Sequence, residues 1–151
     1  MSQRVCRVCR AVHQRLDGEG AKQVGGRWNS PGHPMVYMAE SISLAVLENL
    51  VHMSQEDFPV GYVSVCASIP GDLIILTDDD VARNLPDAGP WELGDHWLAT
   101  QASAALRVRS AVIPAEFNFL LNPWHPEFAR IVAEPAVPFV FDERLFPSRA
   151  R

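Results

Sequence analysis

The chain has 151 residues, of which 48% are hydrophobic and 21% charged, and its formal net charge is −5. That length fits one domain with a sizeable core, and the composition excludes global disorder. The acidic balance gives no support for a long nucleic-acid contact, which needs concentrated positive charge, and no stretch is long and apolar enough to span a bilayer.

At the N-terminus, MSQRVCRVCR lacks a hydrophobic signal core, because Arg7 and Arg10 interrupt its one apolar run. A cytoplasmic location is the expectation. Cys6 and Cys9 sit in a C-x-x-C spacing, but three cysteines do not make a secreted disulfide framework and are expected as packed thiols. With His13 they supply three zinc-type ligands, yet no second pair follows at finger-like distance. His33, His52, His96 and His125 form no H-E-x-x-H arrangement, so no metal is expected. Gly18-Glu19-Gly20 is followed by no G-K-[ST], which removes a phosphate loop.

The first clear strand is Met35–Ala39, after the turn-rich Asn29–Pro34. Ser41 can cap a helix running to about Met53, and at 100° steps its apolar residues cover most of the circumference. Such a helix is expected to be buried on most sides, with Glu48 at the edge of that surface. Val60–Ile69 alternates, with Val63, Val65, Ala67 and Ile69 on one face, and Leu73–Leu76 follows Gly71. Asp78–Gly89 reads as acidic surface with a short helical turn, Gly94–Ser103 as a helix, and Leu106–Ser110 as a strand. Arg130–Ala133 and Val137–Phe141 are further strand candidates. The sum is an α+β (mixed α/β) domain of short strands around one principal buried helix, without the regular alternation of a doubly wound sheet.

Four residues stand out chemically. Arg27 follows Gly25-Gly26 and precedes Trp28; arginine keeps its charge when partly desolvated and offers a planar fork suited to phosphate or carboxylate. Its structural alternative is a pair with a core-edge carboxylate. Glu48 lies among Leu44, Leu47 and Val51, where a carboxylate needs a partner; it is either that partner, a solvent-facing group beside Asn49 and His52, or a stabiliser of developing positive charge. Ser110 lacks a G-x-S-x-G elbow, so it caps a turn or positions a polar ligand group. Tyr37 packs in the core or holds a ring or ribose. Asn118 and Asn122 flank Phe-Leu-Leu, and Asn122-Pro123 reads as a turn.

Taken together, three segments resemble the RES-domain family, named for its arginine, glutamate and serine. They are LDGEGAKQVGGRWNSPGHPMVYMAESISLAVLENLVH, GDHWLATQASAALRVRSAVIPAEFNFLLNPWHPEF and PFVFDERLF, in that order. The resemblance implies a single domain over 1–151, with a matching core of about 7–146, and a compact fold similar to ADP-ribosyltransferases. It implies a toxin-like enzyme that degrades NAD at the nicotinamide–ribose bond, by hydrolysis or by phosphorolysis with inorganic phosphate as co-substrate. The implied partner is an Xre-type helix-turn-helix antitoxin that neutralises it and carries the DNA-binding role, with a homodimer inside a larger complex.

By the same resemblance Arg27, Glu48 and Ser110 are the catalytic set. Arg7, Arg27, Tyr37 and Ser110 hold NAD, the arginines at the pyrophosphate, Tyr37 against the nicotinamide or its ribose, and Ser110 at the nicotinamide end. The chain departs from the family pattern where Cys6 replaces an aromatic before Arg7, and where Val108-Arg109-Ser110 stands for V-P-S. Two other readings are carried forward. One is transfer of ADP-ribose to a protein; the other is a non-catalytic interaction domain, which requires Arg27 and Glu48 to pair and leave no pocket.

Overall fold

The computed structural model describes residues 1–54 and 58–146. The end of the expected domain, 147–151, lies outside them.

Eight strands form one sheet: β1 (Gln3–Arg10), β2 (Val36–Ala39), β3 (Tyr62–Ile69), β4 (Ile75–Thr77), β5 (Ala105–Arg109), β6 (Phe117–Leu121), β7 (Val132–Ala133) and β8 (Val137–Phe139). Their order is β4-β5-β6-β2-β1-β3-β7, with β8 also on β3. Every pairing is antiparallel except β4 with β5. Four α-helices, α1 (Glu19–Val24), α2 (Ile42–Leu50), α3 (Asp78–Ala82) and α4 (Pro90–Thr100), and three single-turn 3-10 helices complete the described chain. The mixed α and β class expected from the sequence is thus observed.

Local chemistry sets these boundaries. Ser41 Oγ accepts the Leu44 amide at 3.1 Å and starts α2. Thr77 and Asp80 form a reciprocal capping box on α3, and Pro90 opens α4, where its missing N–H costs nothing. Helix α4 begins and ends before the expected Gly94–Ser103, because Gln101 turns left-handed at φ 53° and stops it. Helix α2 is less enclosed than its apolar circumference suggests. Leu44 and Ala45 are buried, but Leu47 and Val51 are exposed, since the sheet covers only one side of it.

One feature of the topology creates a cavity. β1 pairs with β3 along its whole length, from Gln3↔Ile69 to Arg10↔Tyr62, but meets β2 at a single position, Cys6↔Ala39. Beyond that point the two strands part. One face of the sheet carries Val8, Ala39 and α2's Leu44 and Ala45 into a cluster with Phe141 and Phe146. Alongside it, Leu106, Val108 and Leu120 pack with Trp28, Trp97 and Leu98 under α4. The other face buries Val5, Val36, Met38, Ile69, Phe119 and Leu121. The fork between β1 and β2 opens between the two clusters of the first face.

The register also corrects the expectation for the cysteines. Cys6 and Cys66 lie directly opposite on β1 and β3 and form a disulfide, with their Cα atoms 4.0 Å apart. Sequence spacing could not show this, because the two are 60 residues apart. Cys9 keeps a free, buried thiol whose pKa burial pushes up, against the opposing influence of Arg7.

Candidate active site in the strand fork

Arg27 stands on a short turn, with Gly26 and Asn29 bridged at its base by Gly26 N–H donating to Asn29 C=O at 2.9 Å. Gly25 enters this turn at φ 78°, which an L side chain rarely adopts. The turn is pinned from beneath by Tyr37. Its hydroxyl donates to Asn29 Oδ1 at 2.6 Å and accepts from the Trp28 amide at 3.0 Å. A Cβ on Gly26 would lie 2.6 Å from that hydroxyl, so the glycine is needed for the approach. Asn29 is itself buried and donates to the Ala21 and His33 carbonyls. Trp28 is buried against α4, where Gly94 makes room for its carbonyl. Arg27 is left exposed at the tip, and among the described residues it has no ion pair or hydrogen bond.

Burial pushes the Tyr37 hydroxyl up to about 12. The group therefore stays neutral through physiological pH and acts as a hydrogen-bonding post. Its folded value lies above the ordinary value of 10, so the stability it contributes is complete below about pH 10 and is lost as pH rises toward 12. Tyr37→Phe removes a donor and an acceptor and leaves Asn29 Oδ1 and the Trp28 amide unpaired. The expected cost is about 1–3 kcal/mol, read by urea unfolding near pH 7, and the variant should lose the alkaline part of the wild-type stability profile.

Glu48 lies one turn beyond Leu44 on α2 and is partly buried. Two donors converge on one of its oxygens: Ser110 Oγ at 2.6 Å and Asn118 Nδ2 at 2.9 Å, both on Oε1. Among the described residues Oε2 has no partner. Ser110 is fixed as a donor, because its oxygen already accepts the Val112 amide at 3.1 Å and the Ile113 amide at 3.0 Å. The hydroxyl thus caps the turn, one of the two readings from sequence, and spends its donor on Glu48 rather than on a group in the cleft.

A cleft of about 1090 Å³ fills the fork. Arg7, Arg27, Tyr37 and Glu48 all line it, together with Asn118. Ser110 is buried behind Glu48 and is not on the cleft wall. Arg27 and Glu48 share one cavity without pairing to each other, unlike the arrangement a closed interaction domain requires. Arg7 lies beside Cys9 on β1 and is partly buried. No group of three or more potential metal-ligating side chains converges among the described residues, and no helix there is long and apolar enough to cross a membrane.

From sequence, Asn118 is no more than a residue flanking Phe-Leu-Leu, ahead of the turn at Asn122-Pro123. It lies instead in β6, between Ala39 and Val108, with its amide on Glu48 across 70 residues of chain. Only the register of three strands brings it there.

The family model described as "RES domain" matches residues 4–142. The chain is 36% identical over 138 residues to the "Prs ADP-ribosylating toxin" of Sphingobium sp. (strain YBL2), covering 86% of each. It is 34% identical over 144 residues to a "Toxin Res" of Photorhabdus laumondii, covering 91% of this chain and 92% of the relative. The crystal structure of the M. tuberculosis MbcT–MbcA toxin–antitoxin complex contains a similar fold, with a TM-score of 0.65 at 18% identity over the whole chain and 91% of its counterpart. With a family match across most of its length and relatives above 30% identity over most of theirs, the chain belongs to the RES-domain family.

Proposed function

We propose that this protein is a toxin-like enzyme that degrades NAD by cleaving the nicotinamide–ribose bond. The observation that carries the reading is the presence in one cleft of two charged groups that do not pair with each other: Arg27 at its edge and Glu48 on its wall. A dinucleotide needs a cation for its pyrophosphate and, at the reacting ribose, a fixed negative charge. A cavity of about 1090 Å³ accommodates a ligand of that size.

Arg27 holds the pyrophosphate, with Arg7 deeper on β1. Tyr37 keeps the Arg27 turn in place and borders the nicotinamide end. When the C–N bond breaks, its electron pair moves to the pyridinium nitrogen and nicotinamide leaves neutral, so no general acid is needed. Positive charge then develops on the ribose, and the Glu48 carboxylate stabilises it. Ser110 acts through Glu48 by holding Oε1. Capture by water gives ADP-ribose and releases a proton; capture by inorganic phosphate gives the ribosyl phosphate.

The "ADP-ribosylating" name of one relative supports a second reading, in which a protein side chain captures the ribosyl carbon. The toxin–antitoxin complex among the structural neighbours supports an antitoxin partner, which we take to be of the Xre helix-turn-helix type. A homodimer within that complex and a cytoplasmic location complete the proposal.

The test is incubation of the protein with NAD, with and without phosphate, and identification of the products by mass. Free nicotinamide with ADP-ribose or its phosphate is expected. A labelled protein without small ribosyl products moves the reading to transfer, and intact NAD under all conditions refutes both. Arg27→Ala should raise KM for NAD by about 10-fold or more, since a charge-assisted contact to phosphate contributes roughly 1.5–3 kcal/mol.

A further inference from the structure

Asn118 has one side-chain partner among the described residues, the Oε1 atom of Glu48. Its own carbonyl oxygen is buried and has no donor. An asparagine that serves only the fold is held at both ends, as Asn122 is by the Leu98 carbonyl and the Trp124 amide. Asn118 accepts an unpaired buried oxygen for the sake of a single bond to a carboxylate, and it lines the cleft while doing so. The amide cannot be reversed without setting two oxygens against each other.

We propose that Asn118 is a positioning residue for the reaction: with Ser110 it claims Oε1, so that Oε2 is the oxygen presented to the cleft. Two donors on one oxygen fix the carboxylate plane, which neither donor does alone. Ser110 reaches it from the turn after β5, and Asn118 from β6. Because both arrive from the sheet side, rotation of Glu48 about its last bond breaks both bonds together. The role rests on the reading of Glu48 as the group beside the reacting ribose.

Asn118→Asp tests this, since it keeps the shape and makes the donor depend on pH. When the introduced carboxyl and Glu48 hold one proton between them, the new group donates to Oε1 as the amide did. When both are ionised they repel, and the presented oxygen is lost. Other titratable or charged groups line the same cleft: Arg7, the Cys9 thiol and Arg10 of β1, then His13, Arg15, Asp17 and Glu19 after it. Arg27, Tyr37 of β2, His52 after α2, Tyr62 of β3 and Arg109 of β5 complete the set. All are common to wild type and variant, so the ratio of their pH profiles isolates the pair.

NAD turnover by Asn118→Asp should approach that of wild type at the acid end and fall about tenfold per pH unit above the pair's upper step. Asn118→Ala should lower kcat at all pH values and leave KM for NAD nearly unchanged. A constant ratio of Asn118→Asp to wild type across pH, or a KM effect with kcat intact, overturns the assignment. Carboxyl-carbon NMR titration of Asn118→Asp, with signals assigned against Glu48→Gln, gives a readout that needs no activity. Two coupled steps are expected, and two independent ordinary carboxyls overturn the proposal. A wild type that leaves NAD intact therefore refutes the functional reading, while the titration still decides whether residue 118 holds the Glu48 carboxylate.

Discussion

Glu48→Gln should lower NAD turnover by about 10²- to 10³-fold, the usual effect of removing one preorganised electrostatic group from an active site. The substitution suits the question because the fold has little reason to notice it. The remaining carbonyl oxygen can still accept from Ser110 and Asn118, which approach the same atom at 2.6 and 2.9 Å. What changes is the outer atom: an amide nitrogen replaces Oε2, and the negative charge facing the ribose disappears. KM should change little, because the ground-state ribose is not cationic and the lost interaction belongs to the transition state. Thermal unfolding close to that of wild type, measured on the same sample, separates this outcome from misfolding. Native turnover in a folded Glu48→Gln would show that the carboxylate has no part in bond cleavage.

The largest effect on stability is expected at Gly94→Ala. In the middle of α4 the exchange of glycine for alanine ordinarily helps a helix by about 0.5–1 kcal/mol. Here a Cβ would run into the backbone carbonyl of Trp28, which rests on the helix and cannot retreat as a flexible side chain would. To make room, the Trp28 turn must lift off α4, or α4 must move away from the sheet and loosen Trp97 and Leu98, both fully buried. Overpacking of this kind costs about 3 kcal/mol, a fall in Tm of roughly 6–12 °C for a chain of this size. Gly20→Ala in α1 is the control, because nothing lies within 4 Å of its Cβ position and the helix should gain slightly. Since Arg27 rides on the turn that Trp28 anchors, Gly94→Ala should also raise KM for NAD in whatever fraction stays folded. Equal stability of the two alanine variants would mean that the turn is not packed on α4 as described.

How much of this is legible in advance depends on whether a residue's role is local. The strand before α2, the Ser41 cap and the alternation of β3 are written in neighbouring residues, and the structure follows them to within a few positions. β1 is not legible. Its arginines at positions 4, 7 and 10 interrupt the apolar pattern, yet the ladder it forms with β3 along its whole length holds it as a strand whatever its side chains. β6 is hidden because Asn118 breaks its apolar run and Asn122, just past its end, reads as a turn former, although Asn118 points its amide at Glu48 and Asn122 ties the end of the strand to α4. The Cys6–Cys66 bridge and the convergence of Ser110 and Asn118 on Glu48 depend on strand register, which separations of 60, 62 and 70 residues conceal. Arg27, Tyr37 and Glu48 can be named from sequence because glycines, an aromatic strand and a charge on an apolar helix are each unusual in place. Their meeting in one cleft follows from the single contact between β1 and β2.

The most direct measurement is a crystal structure of Glu48→Gln with NAD bound. The account predicts the dinucleotide in the fork between β1 and β2, its pyrophosphate on Arg27 and the nicotinamide ribose against residue 48. NAD bound elsewhere on the surface, or lying in the fork with its ribose turned away from α2, would contradict it.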